Sequence, residues 1–328
     1  MMRRFVNLVT LNWEERVYSV RRMDTYKQLF YQSAKAAIEA ADEATSVPAL
    51  QLLPPCMNFT ATNCGGTMGM FALFSPRANH EGRIVHANMI GEAGLYDADK
   101  HVLTSLGALN GPKGISPMCL SMAPHPGASQ DSMYVLDRFP GKASDRCFEV
   151  LEPVPSRNEL SSSFMGSSRW RLLPPPPFVH QPGFETARHD PSCRLGWSPS
   201  EEWSYVGAWR LPFHDRAQYV PEFNRWLGFL GFRPYHLCAV DLSAVDGERP
   251  PAALKVGQDL NLPDGEGWIA VYLELVNLGN GKFLTAKIFE SEVTSEQFAV
   301  LTGIEVIMAV SVMTRALRWS STSRHILT

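Results

Sequence analysis

The chain lacks the marks of most familiar chemistries. Its six cysteines, Cys56, Cys64, Cys119, Cys147, Cys193 and Cys238, form no CxxC pair in 328 residues. That density is too low for a disulfide-stapled scaffold, so reduced thiols in the cytoplasm or nucleus are expected. The nine histidines (His80, His86, His101, His125, His180, His189, His214, His236 and His325) form no HxH or HExxH arrangement. No metal site is expected from them. Gly65 and Gly66, and residues 111–114, have neither the GxxxxGK[ST] nor the GxGxxG spacing, so there is no phosphate cradle. Ser161, Ser162, Ser163, Ser167 and Ser168 carry no nucleophile-elbow pattern. No catalytic, cofactor-binding or metal residue is assigned, and no cofactor is expected.

Charge and apolar runs are equally unassertive. Lys plus Arg is 30 and Asp plus Glu is 33, a formal charge of -3. Such a chain has no general attraction to nucleic acid. Arg3, Arg4, Arg16, Arg21 and Arg22 gather beside Tyr18, but nothing similar recurs to make a basic, aromatic-lined face. The basic start is soon interrupted by Glu14 and Glu15 and has no cleavage-site pattern, which argues against a leader peptide. The most apolar stretch, residues 298–313, is short for a membrane span and holds Glu305, so it reads as buried strand or core helix. No membrane partner is expected, and the oligomeric state is open.

What the chain does contain is a recurring line. Short β-like runs end in small turns, the first two of these with an aspartate after or near an aromatic: GEAGLYDADKHVL (91–103), DSMYVLDRF (131–139) and WSYVGAWRLPF (203–213). The aspartate has a plain role, since its carboxylate can accept backbone N–H groups in a tight turn. The 24 Gly and 24 Pro suit strands and turns. Strands are expected at 4–11, 16–22, 58–62, 68–75, 83–89, 94–96, 101–105, 118–122, 133–137, 147–151, 169–173, 203–211, 219–227, 237–242, 269–276, 283–289 and 298–310. Asn280 followed by Gly281 predicts a hairpin over 268–289. SAKAAIEAADEA, residues 33–44, is Ala- and Glu-rich and predicts one short helix. Pro174, Pro175, Pro176 and Pro177 interrupt the strands with a polyproline stretch.

The expected fold is therefore all-β and β-propeller-like, built of antiparallel hairpins. Seventeen runs, several with hairpin spacing, do not divide into regular blades of four, which leaves an incomplete propeller open. The domain reading is a single unit over 1–310 with a divergent tail over 311–328. Trp203, Trp209, Trp226 and Trp268 are expected in the core, with Trp170 at its edge. His214, Asp215 and Arg216 read as a turn that closes a hairpin rather than as a base and its orienting acid.

Several phrases carry a resemblance: MRRFVNLV, VYSVRRMD, DSMYVLDRFP, CFEVLEP, WRLLPPPPFV, GAWRLPFHDRAQYVPE, HLCAVDLS, LVNLGNGKF and FAVLTGIEV. Together they resemble the domain of unknown function 1618 family of plants, numerous in grasses, from Met2 to about Val306. The resemblance implies a plant origin and similarity to the propeller-like domains associated with F-box proteins, but no activity and no site residues. Against that family's pattern, the segment after Val179 is shortened, with only residues 180–202 filling the gap.

Two functions are consistent with these readings. The first is a scaffold that binds another protein through loops on a β framework, with residues 109–130 and 153–168 the loops of interest. The alternative is a hydrolase or glycan-acting enzyme whose acids converge in a central funnel. Its candidate carboxylates are Asp97, Asp137, Glu149 and Asp241, and two of them close together in a concave site would favour it.

Overall fold

The computed structural model describes residues 3–31, 35–36, 52–60, 67–74, 82–122, 131–141, 144–153, 168–182, 195–197, 201–207, 209–233, 235–243, 248–255, 267–310 and 315–327. The chain is all-β. A three-stranded antiparallel sheet comprises β1 (Phe5–Asn12), β2 (Val17–Asp24) and β3 (Met57–Thr60). Four four-stranded meanders follow it in chain order. The first is β4 (Met68–Leu73), β5 (Arg83–Asn88), β6 (Glu92–Asp97) and β7 (Val102–Ala108). The second is β8 (Met118–Met122), β9 (Ser132–Leu136), β10 (Phe148–Pro153) and β11 (Ser168–Leu172). A small hairpin, β12 (Leu195–Trp197) with β13 (Trp203–Tyr205), precedes the third: β14 (Phe213–Val220), β15 (Arg225–Leu230), β16 (Leu237–Val240) and β17 (Ala253–Lys255). The fourth is β18 (Trp268–Gly279), β19 (Lys282–Ser291), β20 (Gln297–Val310) and β21 (Arg315–Leu327). The three-stranded sheet and the four meanders are the antiparallel blades of a propeller-like fold.

Helix is nearly absent among the described residues. The α-helix α1 (Thr25–Leu29) is one turn, capped by the Asp24 carboxylate on the Lys27 N–H, and a 3-10 turn covers Pro177–His180. The expected helix over 33–44 lies outside the described residues except for Lys35 and Ala36.

The described residues form 21 strands against seventeen expected, because 219–227 divides into β14 and β15 and the sequence signal fails in two kinds of strand. Strands β12 and β17 have three residues each, too few to show alternation. Strand β21, RALRWSSTSRHIL, is polar and takes its conformation from a long ladder with β20. Two local expectations are corrected. Residues 219–227 are not one strand: the chain reverses at residues 221–224, with Val220 opposite Arg225 and Asn224 at φ 49°. Asp215 and Arg216 do not close a hairpin but form a bulge inside β14, between the pairs His214–Phe229 and Ala217–Gly228.

The described chain forms two compact units, residues 7–22 with 54–206 (the middle unit) and residues 1–6 with 23–53 and 207–328 (the outer unit). The middle unit has its core in Phe74, Val85, Leu95, Met133, Val135 and Leu151, between the first two meanders. Inner strands such as β5 and β10 bury both faces, with Ile84 and Val85, and Val150 and Leu151, buried in succession, whereas the edge strand β8 alternates exposed Met118, Leu120 and Met122 with half-buried Cys119 and Ser121. In the outer unit, Leu227, Phe229, Leu275, Phe283 and Ile304 form the corresponding core. There the Gln218 amide ties β14 to β18: Nε2 donates to Leu275 O at 2.7 Å and Oε1 accepts from Asn277 N at 3.0 Å.

The tryptophans do not build these cores. Trp203, Trp209, Trp226 and Trp170 are half-buried and Trp268 is exposed. Trp203 packs on Phe148 and donates from Nε1 to Pro174 O at 2.9 Å; Trp268 meets Phe298 edge-on. Their bulk and polar N–H suit the rims, while aliphatic side chains and phenylalanine fill the centres. Residues 298–310 are strand, part of β20, and no helix among the described residues is long and apolar enough to cross a membrane.

Candidate functional site

Three of the four candidate carboxylates do what the aromatic–aspartate lines suggested. Asp97 Oδ1 accepts from the N–H groups of Asp99 (3.0 Å) and Lys100 (3.1 Å), which closes the β6–β7 turn. His101 follows in the left-handed region at φ 55°. Asp137 Oδ1 accepts from Phe139 N at 2.9 Å. Asp241 Oδ1 accepts from both N and Oγ of Ser243, while Oδ2 pairs with Arg225 at 2.8 Å. The Ser243 hydroxyl holds the Asp241 carboxyl below the usual aspartate range. Each of these acids shapes a separate bend.

Glu149 is different. It stands on β10, fully buried, and both oxygens are saturated. Oε2 accepts from Asn110 N (2.9 Å) and Asn110 Nδ2 (2.6 Å); Oε1 accepts from Gly111 N (3.1 Å) and from the Lys113 ammonium. Lys113 is itself buried, and Nζ also donates to Gly111 O and Arg146 O, both at 2.7 Å. Three donors thus meet three acceptors. Burial holds the Lys113 ammonium below the usual lysine range, and the Glu149 hydrogen bond and charge oppose that shift. The loop 109–114 is drawn against β10 with no lone pair left for a substrate. This locked pair went unread in the sequence, although Lys113 lies between Gly111 and Gly114, where close backbone approach is easiest.

The remaining candidates also resolve into structure. His214 lies against the Tyr235 ring at 4.8 Å. Asp215, at the bulge, has φ 60°. His86 packs on Phe59 at 4.5 Å, and neither ring nitrogen has a hydrogen-bond partner among the described residues. Burial pushes its pKa down to about 4. His101 Nδ1 lies 3.2 Å from the hydroxyl of buried Tyr96, which also meets Cys56 O at 3.0 Å. Burial pushes the Cys147 and Cys238 thiols up to about 11 and about 12, away from a reactive thiolate. Among the N-terminal arginines, Arg4 pairs with Asp24 and Arg22 with Asp99. Ser161, Ser162, Ser163 and Ser167 lie outside the described residues, as do Cys64, Cys193, His80, His125 and His189. Among the described residues no group of three His, Cys, Asp or Glu is placed to hold a metal ion.

Turn-forming acids, one saturated buried pair and successive antiparallel meanders define a propeller-like β protein in which Asp97, Asp137, Asp241 and Glu149 brace the framework. The family model described as "Protein of unknown function (DUF1668)" matches residues 3–193 and 198–325, and the chain belongs to that family. This corrects the resemblance to the 1618 family: the phrases that suggested it belong to the 1668 family, and the match runs on through β21. The plant origin, the F-box association and the shortening after Val179 rested on that resemblance and lapse with it. Most of the gap itself, residues 183–194 and 198–200, lies outside the described residues. No curated protein matches the chain. Among solved structures, the chain is similar at 8% identity and TM-score 0.27 to "Crystal Structure of the N-terminal Domain of Nup159". That alignment covers 97% of this chain and 61% of the other, so the chain spans less than two thirds of its length.

Proposed function

We propose that the protein is an interaction scaffold that binds another protein through the turns and loops of its β framework. One observation carries this reading: the four candidate carboxylates of the enzyme alternative are spent on turns and on the saturated Glu149–Lys113 pair. A framework braced in this way offers fixed loops, which is what recognition without covalent chemistry requires. Residence in the cytoplasm or nucleus belongs to the same proposal; the described cysteines form no disulfide, which is compatible with it.

The test is affinity capture on the full chain beside a variant with residues 154–167 replaced by a Gly-Ser segment of equal length. A discrete set of proteins retained by the parent and reduced on the variant is expected. Glycoside or ester hydrolysis that disappears in Asp97→Asn or Asp241→Asn, without loss of folding, would overturn the proposal in favour of the enzyme.

A further inference from the structure

The middle unit brings three turns and one loop to the same end. Strand β2 passes Tyr18, 5.8 Å from Phe71, and then Arg22, which reaches Asp99 at 2.6 Å and Ala98 O at 3.4 Å beside the β6–β7 turn. Strand β2 therefore runs alongside β6 in the same sense. The turn before β2 must then lie at the same end as the turn before β6. From the latter, Gly91 O accepts from Leu109 N at 2.8 Å. One residue on, Asn110 O accepts from Arg146 in the β9–β10 connection at 3.3 Å. The loop 109–116 thus joins the β5–β6 and β9–β10 turns, and Glu149 with Lys113 pins it from beneath.

Each of these four segments exposes one large apolar side chain. Trp13 at the β1–β2 turn is 80% exposed, Ile90 at the β5–β6 turn 54%, Ile115 on the loop 63% and Phe139 at the β9–β10 turn 64%. The pattern recurs in the outer unit, where the equivalent turns of the third and fourth meanders expose Phe232 and Val293. Isolated exposed apolar residues are ordinary; one at each second-to-third-strand turn of four meanders is a pattern. Among the described residues of these segments, acids outnumber bases in the exposed charged side chains. Glu14, Glu15, Glu92 and Asp145 are exposed, against Arg16 and Arg146. Arg146 is turned in on Asn110 O, Arg138 lies half-buried over the Phe139 ring at 5.8 Å, and Asp145 has His180 at 3.4 Å.

We infer that this end of the middle unit is a docking surface for a peptide segment of a partner protein that carries both apolar and basic side chains. The inference rests on the scaffold reading and names its surface and partner chemistry. Apolar anchors would fill the spaces around Trp13, Ile90, Ile115 and Phe139, and Lys or Arg would meet Glu14, Glu15 and Glu92. Four such side chains amount to a few hundred Å² of apolar surface, the size of one functional patch. An obligate dimer needs ~2,000 Å² or more, so a second copy of the chain is the poorer occupant. The buried pair beneath keeps the loop ordered before binding, which lowers the entropic cost of association.

The experiment pans a random dodecapeptide phage library on the full-length chain and measures the selected peptides by fluorescence anisotropy. Enriched peptides should combine Lys or Arg with Leu, Phe or Trp. Their affinity should fall at least tenfold in the Trp13→Ser, Ile90→Ser, Phe139→Ser triple variant and weaken as salt is raised from 0.05 to 0.5 M. The control Val293→Ser should bind as the parent does, and a thermal melt checks that the triple variant folds. Peptides that bind the triple variant undiminished would overturn this surface and leave the scaffold reading standing. Acidic or purely apolar peptides would overturn the partner chemistry. Self-association of the parent in sedimentation, abolished in the triple variant, would replace the peptide with a second copy. Failure to enrich any peptide would count against this surface, while protein capture by the full chain would still support the scaffold.

Discussion

The Lys113 ammonium and the Glu149 carboxylate meet in the interior of the middle unit, and every hydrogen-bonding position of the ammonium is filled. Removing one partner leaves the other charge buried without its counter-ion. Lys113→Met or Glu149→Leu alone should destabilise by ~3–5 kcal/mol, and the double variant by clearly less than the sum. Urea denaturation of the four proteins of the cycle measures this. Additive losses would show that the two charges are not coupled.

His86 sets a pH dependence. Its pKa is about 4 in the folded chain because burial disfavours the imidazolium, against about 6.5 in an unfolded chain. Above pH 6.5 both states hold a neutral ring and the group has no effect. Between pH 6.5 and 4 the unfolded state takes up a proton that the folded state refuses. Stability falls with decreasing pH across this window, by on the order of 3 kcal/mol in all. Carboxylates also titrate there, so the measurement is the difference between the parent and His86→Leu. A pH profile unchanged in shape by the substitution would rule out the assignment.

Gly69 lies where a side chain has no room. A Cβ there would stand 2.5 Å from Gly114 O, and Ser116 N donates to Gly69 O at 2.8 Å. Gly69→Ala should cost ~1–3 kcal/mol by pushing the loop 109–116 off β4. Hydrogen exchange should show faster exchange at Asn110 and Gly111, whose N–H groups bond Glu149. Unchanged protection at those two amides would show that the loop does not depend on this approach.

The β18–β19 turn is sensitive to which of its two residues is changed. Asn280 and Gly281 are both left-handed, at φ 54° and 72°, as a tight hairpin turn demands. Asn280→Gly should therefore be nearly neutral. Gly281→Ala should lose ~1 kcal/mol from backbone strain and more from its Cβ, which would meet Val306 O at 2.8 Å. Thermal melts of the two variants should differ by several degrees; equal melts would contradict the turn geometry.

The amino-acid order by itself decided the local β character. The two-residue alternation of β8, the Asn280–Gly281 turn and the aspartates that close bends at Asp97, Asp137 and Asp241 are contacts within a few residues, so their signal is written locally. Tertiary structure decided the rest. Strand β21 is a strand because β20 offers it a ladder, and Trp170, Trp203, Trp209 and Trp226 sit at rims because aliphatic neighbours already fill the centres. Glu149 stands apart from the other three acids only because the fold brings a lysine from 36 residues away to meet it. An ion pair, a rim and an edge partner are relations between distant segments, and burial fixes them only when the sheets come together.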